Sequence, residues 1–232
     1  MTLLQKLLDA GVHLGHPRRQ WNPKMAPYIY TEKNGTHIID LIQTAARLSA
    51  CSKFLTQQVA QGKTVLLVGT KKQAARIVES VAREADIFFV NERWLGGLIT
   101  NWKTLKQSIQ RLKEFEECNS HSATFSKKEQ ARQRKQWARL NKYLGGVKNM
   151  KAPPDIVIII GQPRELNAVR ECQKENIRTV TLLDTDGDPS LADLFVPGND
   201  DSIASLELVL NTLGAAIQRG QELYAASHQK DR

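Results

Sequence analysis

The sequence predicts an α/β fold: a parallel β-sheet covered by helices on both faces, interrupted by an inserted pair of antiparallel helices. Three observations lead there. Short runs are apolar at every position and rich in β-branched residues. Most are followed by a helical pattern, and the alternation stops over residues 102–144. Strands apolar on both sides belong to sheets buried on both faces, and strand–helix alternation gives parallel order.

Taken in order, Met1–Ala10 has apolar residues at helical spacing, and a basic, proline-punctuated loop follows. Thr36–Asp40 (THIID) reads as a strand before a helix over about Leu41–Gln61. Thr64–Val68 (TVLLV) precedes a helix over Lys72–Glu84, and Ile87–Val90 leads into a Gly-rich loop. Asp155–Ile160 precedes a helix starting at Pro163, where proline suits the first turn. Thr179–Leu183 and Phe195–Val196 complete the strands. The last helix starts at the capping cluster Asn199-Asp200-Asp201-Ser202, and its stripe Ile203, Leu206, Leu210, Leu213 and Ile217 should pack on the sheet.

Within 102–144, Trp102, Leu105, Ile109 and Leu112 form one narrow stripe, and Trp137, Leu140 and Leu144 another, with polar Glu116–Lys128 between. Stripes this narrow suit two helices zipped as a coiled coil. Lys127–Lys148 carries eight Lys/Arg against one Glu, which makes it either an anion-facing surface or a solvated one. The domains expected are therefore an α/β unit of residues 1–101 and 145–232, with a basic N-terminal segment 1–35, and the helical hairpin 102–144.

Charge narrows the function. The net charge is +9 with a pI near 9.5. By region it is +4 over residues 1–60, +10 over 61–150 and −5 over 151–232. A polyanion is the expected partner, nucleic acid before membrane, because no basic amphipathic helix with a strong apolar face stands out. The apolar runs are too short to cross a bilayer, and the start lacks the features of a signal or transit peptide. The chain is thus expected to work where it is made. Cys51, Cys118 and Cys172 have no CxxC spacing, so free, buried or partly buried thiols are expected.

Enzyme motifs fail one by one. Gly62-Lys63-Thr64 lacks the P-loop glycine five positions earlier (Gln57) and precedes a strand. Val68-Gly69-Thr70-Lys71-Lys72 sets a glycine and two lysines at a helix N-terminus, which favours anions, but GxGxxG is absent; an RNA phosphate fits it better than a dinucleotide. Asp184-Thr185-Asp186-Gly187-Asp188 has Pro189 and Phe195 where a calcium loop needs Gly and Glu, so it reads as an acidic turn. His13 and His16 have metal-compatible spacing without further ligands nearby, and read as hydrogen-bonding or phosphate-contacting groups. No cofactor, metal or small-molecule substrate is expected. A phosphate- or nucleotide-binding α/β enzyme is the alternative.

The RNA-binding candidates fall in four places. In the N-terminal loop they are His16, Arg18, Arg19, Trp21, Asn22 and Lys24; Trp21 either stacks on a base or anchors the loop. Lys71 and Lys72 stand at the helix N-terminus. Arg93, Trp94, Asn101 and Lys103 flank Gly96-Gly97, a pair that lets backbone approach either RNA or a neighbouring helix. On the second helix they are Lys127, Lys128, Arg132, Arg134 and Lys135.

These segments resemble, almost end to end, the small-subunit ribosomal protein two family. The matching residues are Leu7–His16, Arg19–Met25, Gly35–Asp40, WLGG and TNW within 94–102, YLGG at 143–146, PPDIVIII at 153–160, DTDGDP at 184–189 and PGNDD at 197–201. Trp102, the turn at Leu144–Lys148 and the lack of an extended acidic tail are most like the plastid branch. The resemblance implies a flavodoxin-like three-layer sandwich with a protruding hairpin and no enzymatic activity. It implies contacts with small-subunit ribosomal RNA and neighbouring ribosomal proteins, and a plastid location (the stroma, made inside the organelle) or, alternatively, a bacterial cytoplasm.

Overall fold

The strands that organise the molecule are those with no polar face. The computed structural model describes residues 2–119 and 127–230. Among them, β4 (Val65–Val68), β5 (Phe88–Val90), β6 (Ile156–Ile160), β7 (Arg178–Leu183) and β8 (Leu194–Pro197) pair in parallel, in the order β5-β4-β6-β7-β8. Counted within this sheet the order is 2-1-3-4-5, the flavodoxin arrangement.

The two-residue period of a strand divides the sheet between two cores. Val65, Leu67, Ile156, Ile158 and Ile160 face α2 (Leu41–Val59), α3 (Lys72–Glu84) and α7 (Ile203–Lys230). Leu66, Val68, Val157 and Ile159 face α6 (Leu166–Lys174), Leu98, Ile99 and the apolar stripe of α4 (Trp102–Asn119). Leu105, Ile109 and Leu112 are therefore buried in one cluster with strand residues, and Trp137 and Leu140 of α5 (Lys127–Leu144) pack against it. α4 and α5 touch each other, but α4 also helps cover the sheet. The stretch 120–126, within the predicted polar segment, and the side chains of Cys118 and Lys127 lie outside the described residues. Cys51 and Cys172 are buried free thiols, and burial pushes them up to about 11 and about 12.

Four expectations are corrected. Thr36–Ile39 (β3) does not join the parallel sheet; it pairs antiparallel with β1 (Leu14–Pro17) and β2 (Ile29–Lys33), because its neighbours are the hairpin before it and the basic loop. Pro163 does not open a helix. Residues 161–165 close a turn on Gly161, whose carbonyl accepts from Arg164 and Glu165 N–H, and α6 starts at Leu166. Ile203 is 56% exposed, one turn ahead of the buried stripe that begins at Leu206. α1 (Leu3–Asp9) buries Leu7 alone, leaving Leu3, Leu4 and Leu8 exposed.

The small sheet docks over the carboxyl end of β7. His16 N–H donates to Thr185 Oγ1 at 2.9 Å and Asn22 N–H to the Thr185 carbonyl at 2.7 Å. Contact is close enough that a Cβ on Gly15 would sit 2.6 Å from Thr185, so only glycine fits. Behind it, the Arg47 guanidinium lies over the rings of Tyr28 (4.7 Å) and Phe195 (4.2 Å), a cation–π wedge between the small sheet and β8.

Candidate nucleic-acid interface

In a doubly wound sheet, ligands enter the crevice at the carboxyl ends of the strands where the order reverses. Here that crevice lies between β4 and β6, and the chain fills it itself. Thr70, just after β4, donates its amide to Glu165 Oε1 at 3.3 Å and its hydroxyl to the same oxygen, while Arg164 Nε donates to Thr70 Oγ1 at 3.1 Å. Burial lifts the Glu165 carboxyl above its usual range despite the bonds from Thr70. Lys71 turns to Asp200 Oδ1 (2.5 Å) and Asp201 Oδ1 (2.8 Å) and is only 15% exposed. Burial alone would lower its ammonium, but the two carboxylates raise it. The anion-binding helix start has its anions; Lys72, one residue on, is exposed.

The Gly-Gly loop is occupied in the same way. Glu171 of α6 accepts from Trp94 Nε1 (3.0 Å), Gly97 N–H (2.8 Å), Ile99 N–H (3.0 Å), Thr100 N–H (3.2 Å) and Thr100 Oγ1 (3.3 Å). Burial works against the charge, yet these donors together hold the Glu171 carboxyl below its usual range. Gly97, at φ +83°, supplies the left-handed turn that aims the amides inward. The neighbouring helix thus satisfies the close approach. Trp94, 6% exposed and donating to Glu171, is a core residue, while Arg93 stays exposed. Asn101 is exposed, its Oδ1 accepting from Thr104 Oγ1 at 2.8 Å in the first turn of α4.

In the N-terminal loop the predicted residues separate by partner. Arg18 pairs with Glu32 at 3.3 Å though 72% exposed, and Lys24 reaches Asp188 (2.7 Å) and Ser190 (2.8 Å). Asn22 Oδ1 accepts from Lys24 N–H, a local cap. Trp21 is partly buried against His37, ring centroids 5.0 Å apart, which favours the anchoring role. Arg19 is exposed and, among the described residues, has no ion pair.

His16 sits in an acidic pocket, with Nδ1 3.1 Å from Asp184 and Nε2 3.4 Å from Asp201 and 3.8 Å from Asp186. The hydrogen bond to Asp184, against the opposing effect of burial, pushes the imidazole up to about 9. Burial and the nearby Asp184 charge push Asp200 up to about 7. His16, Asp184 and Asp200 offer ligand atoms within 4.8 Å of one another, a set of donors that a divalent cation could use; His13 is not among them.

The helix pair is different in kind. Residues 102–144 carry eleven Lys/Arg against four Glu. Lys103, Lys128, Arg132, Arg134 and Lys135 are exposed and, among the described residues, meet no carboxylate; only Lys142, at the foot of α5, does so, pairing with Glu92 at 3.2 Å. Lys106, Arg111 and Arg139, outside the predicted set, share this state. Part of their signal was present in the sequence, since Lys103, Gln107 and Arg111 recur every four residues along one face of α4, with Lys106 beside them.

Known proteins resemble the chain over almost its whole length. The family model described as ribosomal protein S2 matches residues 7–220. The chain is 54% identical over 229 residues to "Small ribosomal subunit protein uS2c" of Oltmannsiellopsis viridis, covering 98% of this chain and 96% of that one. It is 50% identical over 222 residues to uS2c of Mesostigma viride, covering 95% and 97%. It is also 50% identical over 220 residues to "Small ribosomal subunit protein uS2" of Synechococcus sp. (strain JA-2-3B'a(2-13)), covering 94% and 83%.

Proposed function

The chain belongs to the ribosomal protein S2 family, and from that premise we propose that it is a structural, non-catalytic constituent of the small ribosomal subunit of a plastid, holding ribosomal RNA and meeting neighbouring ribosomal proteins. The observation that carries the RNA contact is the row of exposed cations on α4 and α5 that, among the described residues, meet no carboxylate, joined by Arg19, Lys72 and Arg93. A cation already matched by a carboxylate has little to offer a phosphate; an unmatched one releases counterions when it meets RNA. The RNA-facing set is accordingly Arg19, Lys72, Arg93, Lys103, Lys106, Arg111, Lys128, Arg132, Arg134, Lys135 and Arg139. His16, Lys71 and Trp94 serve the fold.

Residues 102–144 act in this reading as an inserted arm on the α/β unit formed by 1–101 and 145–232. The enzyme alternative loses its basis in the crevice, where Glu165 is engaged by Thr70 and Lys71 by Asp200, leaving neither to a nucleotide. Gradient sedimentation of a lysate tests the proposal. The chain should travel with small subunits, and a variant with Lys128, Arg132, Arg134 and Lys135 replaced by Ala should remain largely at the top of the gradient. A wild-type chain found free of small subunits overturns the proposal.

A further inference from the structure

The class of RNA held by the arm can be read from what α4 and α5 expose, given the RNA-binding role proposed above. Splayed single strands are held by stacking bases on aromatic rings, whereas duplex RNA offers its phosphates and ribose hydroxyls. Among the described residues neither helix carries a fully exposed aromatic side chain. Trp102, Phe115, Trp137 and Tyr143 are partly buried, and the two tryptophans pack on the second core. The outer stripe of α4 consists of Lys103, Lys106, Gln107, Gln110, Arg111 and Glu114, which line a shallow groove of about 460 Å³. Its three cations have no ion pair among the described residues, and its two amides can donate to hydroxyls. From Lys103 to Arg111 the stripe runs about 12 Å along the helix, room for several consecutive phosphates. On α5, Arg132, Arg134, Lys135, Gln136 and Arg139 repeat the same chemistry.

We infer that the outer faces of α4 and α5 bind double-stranded RNA by its shape, through phosphates and 2′-hydroxyls, and do not stack unpaired bases. Fluorescence anisotropy of the full chain with three labelled probes of equal length tests it: an RNA duplex of arbitrary sequence, oligo(U), and the matching DNA duplex. The RNA duplex should bind about tenfold or more tighter than oligo(U) and several-fold tighter than DNA. Replacing Lys103, Lys106 and Arg111 by Ala should weaken the RNA duplex by about tenfold or more and leave oligo(U) within about twofold. The triple Ala variant of Arg132, Arg134 and Lys135 provides a second measurement should the first fail to fold. Oligo(U) bound as tightly as the RNA duplex, DNA bound as tightly as RNA, or folded variants with unchanged duplex affinity overturns the inference. A chain that sediments with small subunits yet prefers oligo(U) overturns this inference alone; one that prefers duplex RNA yet never joins the subunit overturns the proposed function alone.

Discussion

Thr70 gives both its amide and its hydroxyl to the carboxylate of Glu165, a residue 95 positions later in the chain, and so closes the crevice between β4 and β6. Replacing Glu165 by Ala strands the buried Thr70 amide and leaves Arg164 without the carboxylate near it. A loss of about 2–4 kcal/mol is expected, because a buried group left unsatisfied loses its full desolvation energy. Urea unfolding measures it. A loss below about 0.5 kcal/mol would show that water replaces the carboxylate at no cost.

Glu171 supports a larger share of its surroundings. A glutamine amide in its place keeps one acceptor oxygen but turns an NH₂ toward donors, so two of five bonds or more are lost. Glu171→Gln should cost about 2–3 kcal/mol and shift the emission of Trp94, whereas Glu79→Gln, which removes the exposed pair with Arg83 and at most one long bond from Asn91 Nδ2, should cost under about 1 kcal/mol. Equal effects in the two variants would contradict the cradle.

Stability should fall as pH rises from about 6.5 to about 9. His16 is raised from 6.5 to about 9 in the folded chain, so the native state binds more protons across that window than the unfolded state does. The stabilisation is complete below the unfolded value and disappears through the folded one, and it is worth roughly 3 kcal/mol at most. Asp200, raised from 3.8 to about 7, acts in the same direction at lower pH. Thermal melts at pH 6.5, 8 and 9.5 on the wild type and on His16→Gln check it: the variant should show a flatter profile over this range.

Two isoleucines separate sheet from surface. Ile158 is buried in the central strand β6, and Ile158→Asp places an unpaired charge between two apolar layers, at a cost of several kcal/mol that should abolish the folded state. Ile203→Asp, at an exposed position in the first turn of α7, should be neutral or slightly stabilising through the helix dipole. Circular dichroism distinguishes the two.

Salt dependence reports the number of phosphates met. Replacing Lys128, Arg132, Arg134 and Lys135 together by Ala should reduce the log–log salt slope of RNA binding by roughly 3 to 4. The double variant of Arg18 and Lys24, whose cations are already matched by Glu32 and Asp188, should change it by less than about 1. A larger change for the double variant would move the interface to the N-terminal loop.

The parallel sheet was legible because runs such as Ile156–Ile160 leave no polar face, and two-sided burial follows from that alone. The partner of Thr36–Ile39 was not legible: its composition suits either sheet, and antiparallel pairing depends on the hairpin and the basic loop folding back. The acidic turn after β7 was foreseen, but not that His16 would sit within it. Lys71 and Trp94 read as RNA contacts because their partners stand far along the chain; the Trp94–Glu171 bond spans 77 positions and the Lys71–Asp200 bond 129. Local pattern shows which groups attract anions, and only tertiary structure shows whether the chain brings its own.

A fold of this kind ordinarily answers to metabolites, since whatever occupies the strand ends shifts its equilibrium by mass action. With Glu165 seated there, that channel of response is closed. A small anion thus finds no open seat at the strand ends from which to shift the domain's stability, which rests instead on contacts the chain makes with itself.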